Sequence, residues 1–294
     1  MKNSIVICSL LLLTACLSVN KKMTPAQNDF LPANAVGELD TKRLEEASGL
    51  IASIRNPGYY WVHNDSGNKA EVFLINGKGK IVLTCSLPGI HNRDWEDITA
   101  GPGPTDGKTY VYVGDIGDNN AVHHYKYIYR FEEPILTKTD SLLEITEVDK
   151  ITFQLSDGQK DSEALLINSK TKDLYVVSKR ENPVHLYKLI YPYSTIDTLT
   201  AVSVLTLPLT QITAGDISTD GKEILLKNYQ NIFYWKVADG KNLEETLKEE
   251  PRLLDYKPEP QGEAIAWAYD GSGFYTVSEK SFGKKSYLYF YKRK

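Results

Sequence analysis

The sequence predicts an all-β chain, and three observations carry that prediction. Short segments rich in Val, Ile, Leu and Tyr recur between Ser48 and Tyr291, separated by turns such as Asn76-Gly77, Asp220-Gly221 and Asp270-Gly271. No helical period of any length runs between them. A short motif (a small or acidic residue, a spacer, then an aliphatic residue entering a strand) occurs five times: Ala47-Ser48-Gly49-Leu50, Trp95-Glu96-Asp97-Ile98, Ser162-Glu163-Ala164-Leu165, Ala214-Gly215-Asp216-Ile217 and Gly262-Glu263-Ala264-Ile265. Aligned on the aliphatic residue, the copies lie 48, 67, 52 and 48 residues apart. A repeat of that length with four short strands in it predicts a single β-propeller of five blades, each of four antiparallel strands. Six blades is the rival, because the second interval is long; its extra length lies in 119–125 and 132–147, which read as loops and contain no sixth motif.

Taken in order, the chain opens with Met1-Lys2-Asn3 and an apolar run ending Leu13-Thr14-Ala15-Cys16. The run is too short to span a bilayer as a mature helix and reads as a signal peptide over residues 1–15. The small residues before Cys16 resemble the lipobox of bacterial lipoproteins. By that resemblance the mature chain starts at Cys16, lipidated on its thiol and amine. It would sit in the cell envelope, on the periplasmic or outer-membrane face, touching the membrane through the anchor only. An ordinary signal peptide with an incidental cysteine is the alternative. Residues 16–33 are polar and aperiodic and read as a tether. The domain then occupies 34–294. Its first repeat predicts strands at 48–53, 59–63, 71–75 and 80–87, the second at 96–100, 109–114, 127–131 and 150–155, and the third at 163–168, 173–178, 185–189 and 201–207. The fourth predicts 216–219, 223–227, 232–237 and 252–256, and the fifth 263–268, 273–278 and 286–291. The fifth lacks a fourth strand, which 35–39 can supply by pairing the two ends of the chain and removing an exposed edge. Two stretches, 137–143 and 241–248, look faintly helical but are short and charged, and read as inter-strand loops, each with room for a helical turn.

Composition narrows the function. The full chain of 294 residues carries a net charge of −4 with both signs mixed and no basic run, which argues against nucleic acid. Without the signal, Cys16 and Cys85 remain, so a lipidated Cys16 leaves Cys85 with no partner, and it reads as a buried strand residue. A monomer is expected.

In a propeller the first strand of each blade lines the central channel. The residues opening those strands, Ser48, Glu96, Glu163, Asp216 (or Gly215) and Glu263, would then converge near one mouth. Carboxylates so placed repel one another and take up protons unless a cation sits among them. An oxygen-only donor set favours a hard cation, calcium first. The other reading is that these acids cap turns. After the second strand of each blade come His63-Asn64-Asp65, Asp115-Ile116-Gly117-Asp118-Asn119, Ser178-Lys179-Arg180, Lys227-Asn228 and Ser278-Glu279-Lys280. Acids beside cations there suit a small anionic substrate or ligand. Asp94 or His63 is the candidate base, and Lys179 and Arg180 the candidate holders of anionic oxygens. Trp95 could stack on a ligand or pack between blades.

The pattern of one acid or serine per blade, followed by a small residue and an aliphatic, resembles the five-bladed calcium-activated nucleotidases (apyrases). It is also similar to six-bladed lactonases of the regucalcin and paraoxonase type and to phytase-like esterase domains. The runs Asn64-Asp65-Ser66-Gly67, Asp94-Trp95-Glu96-Asp97 and Asp115-Ile116-Gly117-Asp118-Asn119 also look like a group of secreted bacterial propellers. The first resemblance implies Ser48, Glu96, Glu163 and Glu263 as ligands of a central calcium, with the fourth blade departing from the pattern. The expectation is a calcium-dependent hydrolase of a phosphoester or related ester. The alternative is a non-catalytic binding propeller with a structural calcium.

Overall fold

The computed structural model describes residues 29–40, 42–280 and 285–294. The signal 1–15, the lipidation site Cys16 and the tether up to residue 28 lie outside the described residues. The chain is all-β. Strand β1 (Asn34–Glu38) is followed by β2 (Ala47–Ala52), β3 (Tyr59–Asn64), β4 (Glu71–Asn76) and β5 (Ile81–Ser86). Next come β6 (Trp95–Pro102), β7 (Thr109–Asp115), β8 (Lys126–Glu132), β9 (Ser141–Glu144) and β10 (Asp149–Leu155). They are followed by β11 (Ser162–Ile167), β12 (Leu174–Ser178), β13 (Val184–Leu189) and β14 (Leu199–Leu207). The chain continues through β15 (Ile212–Ile217), β16 (Glu223–Asn228), β17 (Ile232–Lys236), α1 (Leu243–Leu247) and β18 (Arg252–Leu254). It ends with β19 (Gly262–Trp267), β20 (Gly273–Ser278) and β21 (Tyr287–Lys292).

These strands form groups of four joined by antiparallel neighbours: β2-β3-β4-β5, β6-β7-β8-β10, β11-β12-β13-β14, β15-β16-β17-β18 and β19-β20-β21-β1. The last group takes its outer strand from the start of the chain, with Asn34 opposite Phe290 and Glu38 opposite Tyr287. The second and third groups merge into one sheet because β10 and β14 pair in parallel at Phe153–Leu155 and Leu199–Ala201. The first strands touch one another in a cycle: β2 against β6, β6 against β11, β11 against β15, β15 against β19, and β19 against β2.

Apolar residues on both faces of the groups fill five clusters, each between two neighbours in that cycle. Trp61, Leu74 and Leu83 meet Trp95, Val111 and Tyr129 in one of them, and Leu50, Val62 and Phe73 meet Ala264, Val277 and Leu288 in another. Burying an aromatic or aliphatic side chain such as these contributes about 1.5–3 kcal/mol, so the stability resides in the contacts between groups. One polar staple lies among them. Glu133, fully buried, accepts hydrogen bonds from Ser53 Oγ (2.6 Å), Trp61 Nε1 (2.9 Å), Thr109 Oγ1 (2.8 Å) and the backbone N–H groups of Ile54 and Arg55 (3.0 and 3.2 Å). It ties the first group to the second at the end remote from the acids described below.

The segment 137–143, read as a loop with a helical look, instead contains β9, which pairs in parallel with β5 from Leu83↔Ser141 to Ser86↔Glu144 and covers that edge. The segment 241–248 does hold a helix, only five residues long, with Asn242 and Glu245 forming a capping box.

Candidate metal centre

Each first strand carries a β-bulge at the same place. The register shifts between Ser48 and Leu50, Trp95 and Asp97, Ser162 and Ala164, Ile212 and Ala214, and Gly262 and Ala264. The extra residues are Gly49, Glu96, Glu163, Thr213 and Glu263. A bulge turns its extra residue out of the ladder, and such kinks commonly aim side chains at functional sites. Three of the five are glutamates, each at least nine-tenths buried. The predicted metal ligands Glu96, Glu163 and Glu263 therefore share one structural position.

Ser48 and Asp216 do not occupy that position. Ser48 precedes the bulge and donates from Oγ to the backbone carbonyl of Glu96 (2.7 Å), so it braces the neighbouring bulge. Asp216 lies beyond it and accepts from the N–H of Trp267 (2.8 Å). It lines a cavity of about 320 Å³ with Ile51, Ala52, Thr219 and Trp267, away from the glutamates, and burial pushes its carboxyl up to about 8. Asp97, fully buried, likewise accepts from the N–H groups of Ile98 and Leu165 (both 2.9 Å). Aligning on aliphatic residues slipped the register by one residue in the first repeat and by two in the fourth. The bulged residues lie 47, 67, 50 and 50 apart.

Around the glutamates seven carboxylates form three overlapping sets: Asp65, Glu263 and Glu279; Asp65, Asp94 and Glu96; and Glu96, Asp161 and Glu163. Within each set one oxygen per residue lies within 4.8 Å of the others. Unit charges at that separation repel by about 3–4 kcal/mol at an effective dielectric near 20. Burial first, then the neighbouring acids, holds Glu96 well above the usual carboxylate range. The same causes raise Asp94, push Asp65 up to about 6 and push Glu279 up to about 9.

Two cations answer part of this charge. Lys179 Nζ is 2.6 Å from Glu163 Oε1, and Arg180 Nε is 2.6 Å from Asp161 Oδ2. Burial works against the charge on Lys179, but Glu163 overrides it and holds the ammonium well above its ordinary value. Asp161 also accepts from the N–H of Asp118 (2.8 Å), and Tyr229 OH donates to Glu263 Oε1 (2.6 Å). Among the described residues nothing donates a hydrogen bond to the carboxylates of Glu96 and Asp94. Both carboxylates thus keep acceptor positions that a cation or a water can take. Gly117 makes this arrangement fit, because a Cβ there would run into Glu96 Oε1 and the carboxyl group of Asp94. A hard cation fits the donor set of Asp65, Asp94 and Glu96, three carboxylates with neither sulfur nor imidazole among them.

The acids wall an open pocket of about 300 Å³, shared by Asp65, Glu96, Glu163, Glu263 and Glu279 with Lys179, Arg180 and Tyr229. His63 is not on its wall. It is fully buried, donates from Nδ1 to the Asn64 carbonyl (3.0 Å), stands edge-on to Trp95 at 5.6 Å, and burial pushes its pKa down to about 4. Its ring fills the space left by the missing side chain of Gly49. Trp95 is also fully buried between groups and does not line the acidic pocket. Asp115 pairs with Arg93 (3.2 Å), and Asp118 accepts from the N–H groups of Val122 and His123 (2.8 and 2.9 Å), so both build the loop around Gly117. Lys227 is turned to the carbonyls of Gly262 and Asn228.

Asp161, Tyr229 and Gly117 were not singled out from the sequence as site residues. Asp161 had a signal: Asp161-Ser162-Glu163 repeats Asp94-Trp95-Glu96, and Gln261-Gly262-Glu263 and Gln211-Ile212-Thr213 echo it. Comparison with protein-family models finds no match, and comparison with curated proteins finds none.

Proposed function

We propose that the chain is an exported, lipid-anchored five-bladed β-propeller that binds calcium at the mouth of its channel and hydrolyses a small anionic phosphoester or related ester there. The five groups of four strands and the cyclic contact of their first strands support the propeller. One observation carries the site: the Glu96 carboxylate has no hydrogen-bond donor among the described residues, lies with an oxygen within 4.8 Å of oxygens of Asp65 and Asp94, and shares with Asp65 the wall of an open pocket. Because Asp65 and Glu96 face an open pocket, a cation held there would be within reach of a substrate, as hydrolysis needs.

Asp65, Asp94 and Glu96 are the ligands. When bound, calcium would polarise the scissile group and acidify a water. Asp94, half-buried like Asp65, would be the proton acceptor for an attacking water. Lys179 and Arg180, on the facing wall, orient the anionic end of the substrate, while Glu163 and Asp161 fix their positions.

The test is a melting curve of the purified protein in EDTA and in graded CaCl2, followed by a screen of phosphoesters and lactones. A midpoint that rises and saturates with calcium, together with calcium-dependent turnover, is expected. No rise and no metal in the purified protein would remove both the cation and the hydrolase. A second reading, a non-catalytic binding propeller with structural calcium, is favoured by one observation: Lys179 and Arg180 are already consumed in ion pairs. Asp94→Asn separates the two. It keeps a ligating oxygen, so calcium affinity should fall less than about tenfold while turnover disappears; a calcium shift without any turnover in the unaltered protein leaves the binding propeller.

A further inference from the structure

The roomiest cavity described, about 570 Å³, lies outside the acidic pocket, along the face of β21. Tyr287, Tyr289 and Tyr291 occupy alternate positions and so share that face, about 6.6 Å apart along the strand. Tyr287 and Tyr289 are half-buried and Tyr291 is buried, so the rings descend from rim to base. The opposite wall is Lys257-Pro258-Glu259-Pro260, two of whose four residues are prolines with no backbone N–H to offer.

The charges in this groove are balanced locally. Lys285 Nζ is 2.9 Å from Glu38 Oε2. Glu259 accepts at Oε1 from Thr276 Oγ1 (2.5 Å) and feels the charge of Lys227 behind it. Glu279 stands beside the Glu263 and Asp65 carboxylates, and Lys257 stands exposed at the rim. No single sign of charge dominates, which disfavours a strongly anionic or cationic ligand. The rings offer flat apolar faces with hydroxyl edges, and the volume is that of a small-ligand site.

We propose that this groove binds a neutral pyranose saccharide, its ring faces on Tyr287 and Tyr289 and its hydroxyls on the phenol edges. Such a ligand is itself apolar on its faces, polar on its rim and uncharged, and so matches all three properties of the wall. The site is distinct from the cation centre, which it adjoins at Glu279, a residue of both walls.

The test keeps the two apart by working in EDTA with the whole protein. Glucose, galactose, mannose, N-acetylglucosamine, maltose, cellobiose, lactose and chitobiose are titrated by calorimetry and saturation-transfer NMR, with choline and inorganic phosphate as charged probes. Saturable binding of at least one saccharide is expected, weakened tenfold or more by Tyr289→Ala and changed less than threefold by Lys138→Met, at an exposed position away from the groove. Tyr287→Ala, at the half-exposed rim, should weaken it similarly and guards against misfolding of the first variant. No saturable saccharide binding, binding indifferent to both tyrosine substitutions, or binding of choline or phosphate in place of saccharides overturns the proposal.

Discussion

Gly117→Ala adds one methyl group against the carboxylates of Glu96 and Asp94. The position has none of the left-handed backbone that favours glycine, so the chain itself can accept alanine there. Only the carboxylates object. The new Cβ would sit 2.5 Å from Asp94 Oδ2 and closer still to Glu96 Oε1, whereas ordinary contact begins near 3.4 Å. Relief requires those oxygens to retreat by about 1 Å, several times the roughly 0.2 Å tolerance of a cation–oxygen distance. Two of three protein ligands are then misplaced, and calcium affinity should fall about 10- to 100-fold. At a calcium concentration 100 times the dissociation constant, the unaltered protein gains about 2.7 kcal/mol, which for a domain of this size raises the melting midpoint by about 5–10 °C. A variant binding 100-fold more weakly gains only about 0.4 kcal/mol, or about 1 °C. Differential scanning fluorimetry in EDTA and in CaCl2 reads both numbers. A calcium shift as large in Gly117→Ala as in the unaltered protein would show that Asp94 and Glu96 do not hold the cation together.

Glu96→Gln should act with opposite signs in the two buffers: removing one of the crowded charges raises the midpoint in EDTA by an amount worth about 1–2 kcal/mol, while the response to calcium is lost. Glu133→Ala strands five donors between the first two groups and should cost about 3–5 kcal/mol, measured by urea denaturation with an unchanged m-value; a loss under 1 kcal/mol would mean that water replaces the carboxylate freely. The pH dependence has a definite sign. Folding raises Asp65 from 3.8 to about 6 and Glu279 from 4.5 to about 9, so above their unfolded values the folded chain binds more protons and stability in EDTA falls as pH rises, levelling once each folded carboxyl has ionised. Calcium competes with those protons, so its affinity should climb from pH 6 to pH 9, and calorimetry in that window should find protons released on binding; a flat profile refutes the linkage.

The strands were legible because each is short, β-branched or aromatic, and ended by a turn. Reading 109–114 or 185–189 as strands requires little beyond composition, and β7 and β13 lie where those ranges put them. The clustering of acids was legible where acid and bulge coincide, at Glu96, Glu163 and Glu263. It failed where the bulge carries no acid. Gly49 and Thr213 are silent as ligands, so Ser48 and Asp216 took their places by proximity, although Gln211-Ile212-Thr213-Ala214 mirrors Gln261-Gly262-Glu263-Ala264. Ser48 stands one residue and Asp216 three residues from the bulged position, odd offsets that turn a side chain to the other face, and only the hydrogen-bond register decides it. His63 failed for another reason: it faces a glycine across the strand pair, and nothing in the local sequence announces that the space beside it is empty. The partners of Lys179 and Arg180 were beyond reach, because Glu163 and Asp161 come from a different strand, set by how β11 pairs with β12.

The pairing of β1 with β21 has a consequence for how the molecule comes to be. Its partners are separated by about 250 positions of chain, so the closing ladder carries nearly the highest sequence separation the polymer can offer, and the entropy of bringing such remote ends together grows with the logarithm of that length. The fifth group cannot be completed while its last strand is still being made, whereas the first four can assemble as they appear. Closure is thus expected to be the slow, late event of folding, and its reversal the first event of unfolding. A circularly permuted chain that opens within 255–261, between the fourth and fifth groups, and joins residue 294 to residue 34 would turn this remote pairing into a local hairpin without splitting another group, and should fold faster than the natural order.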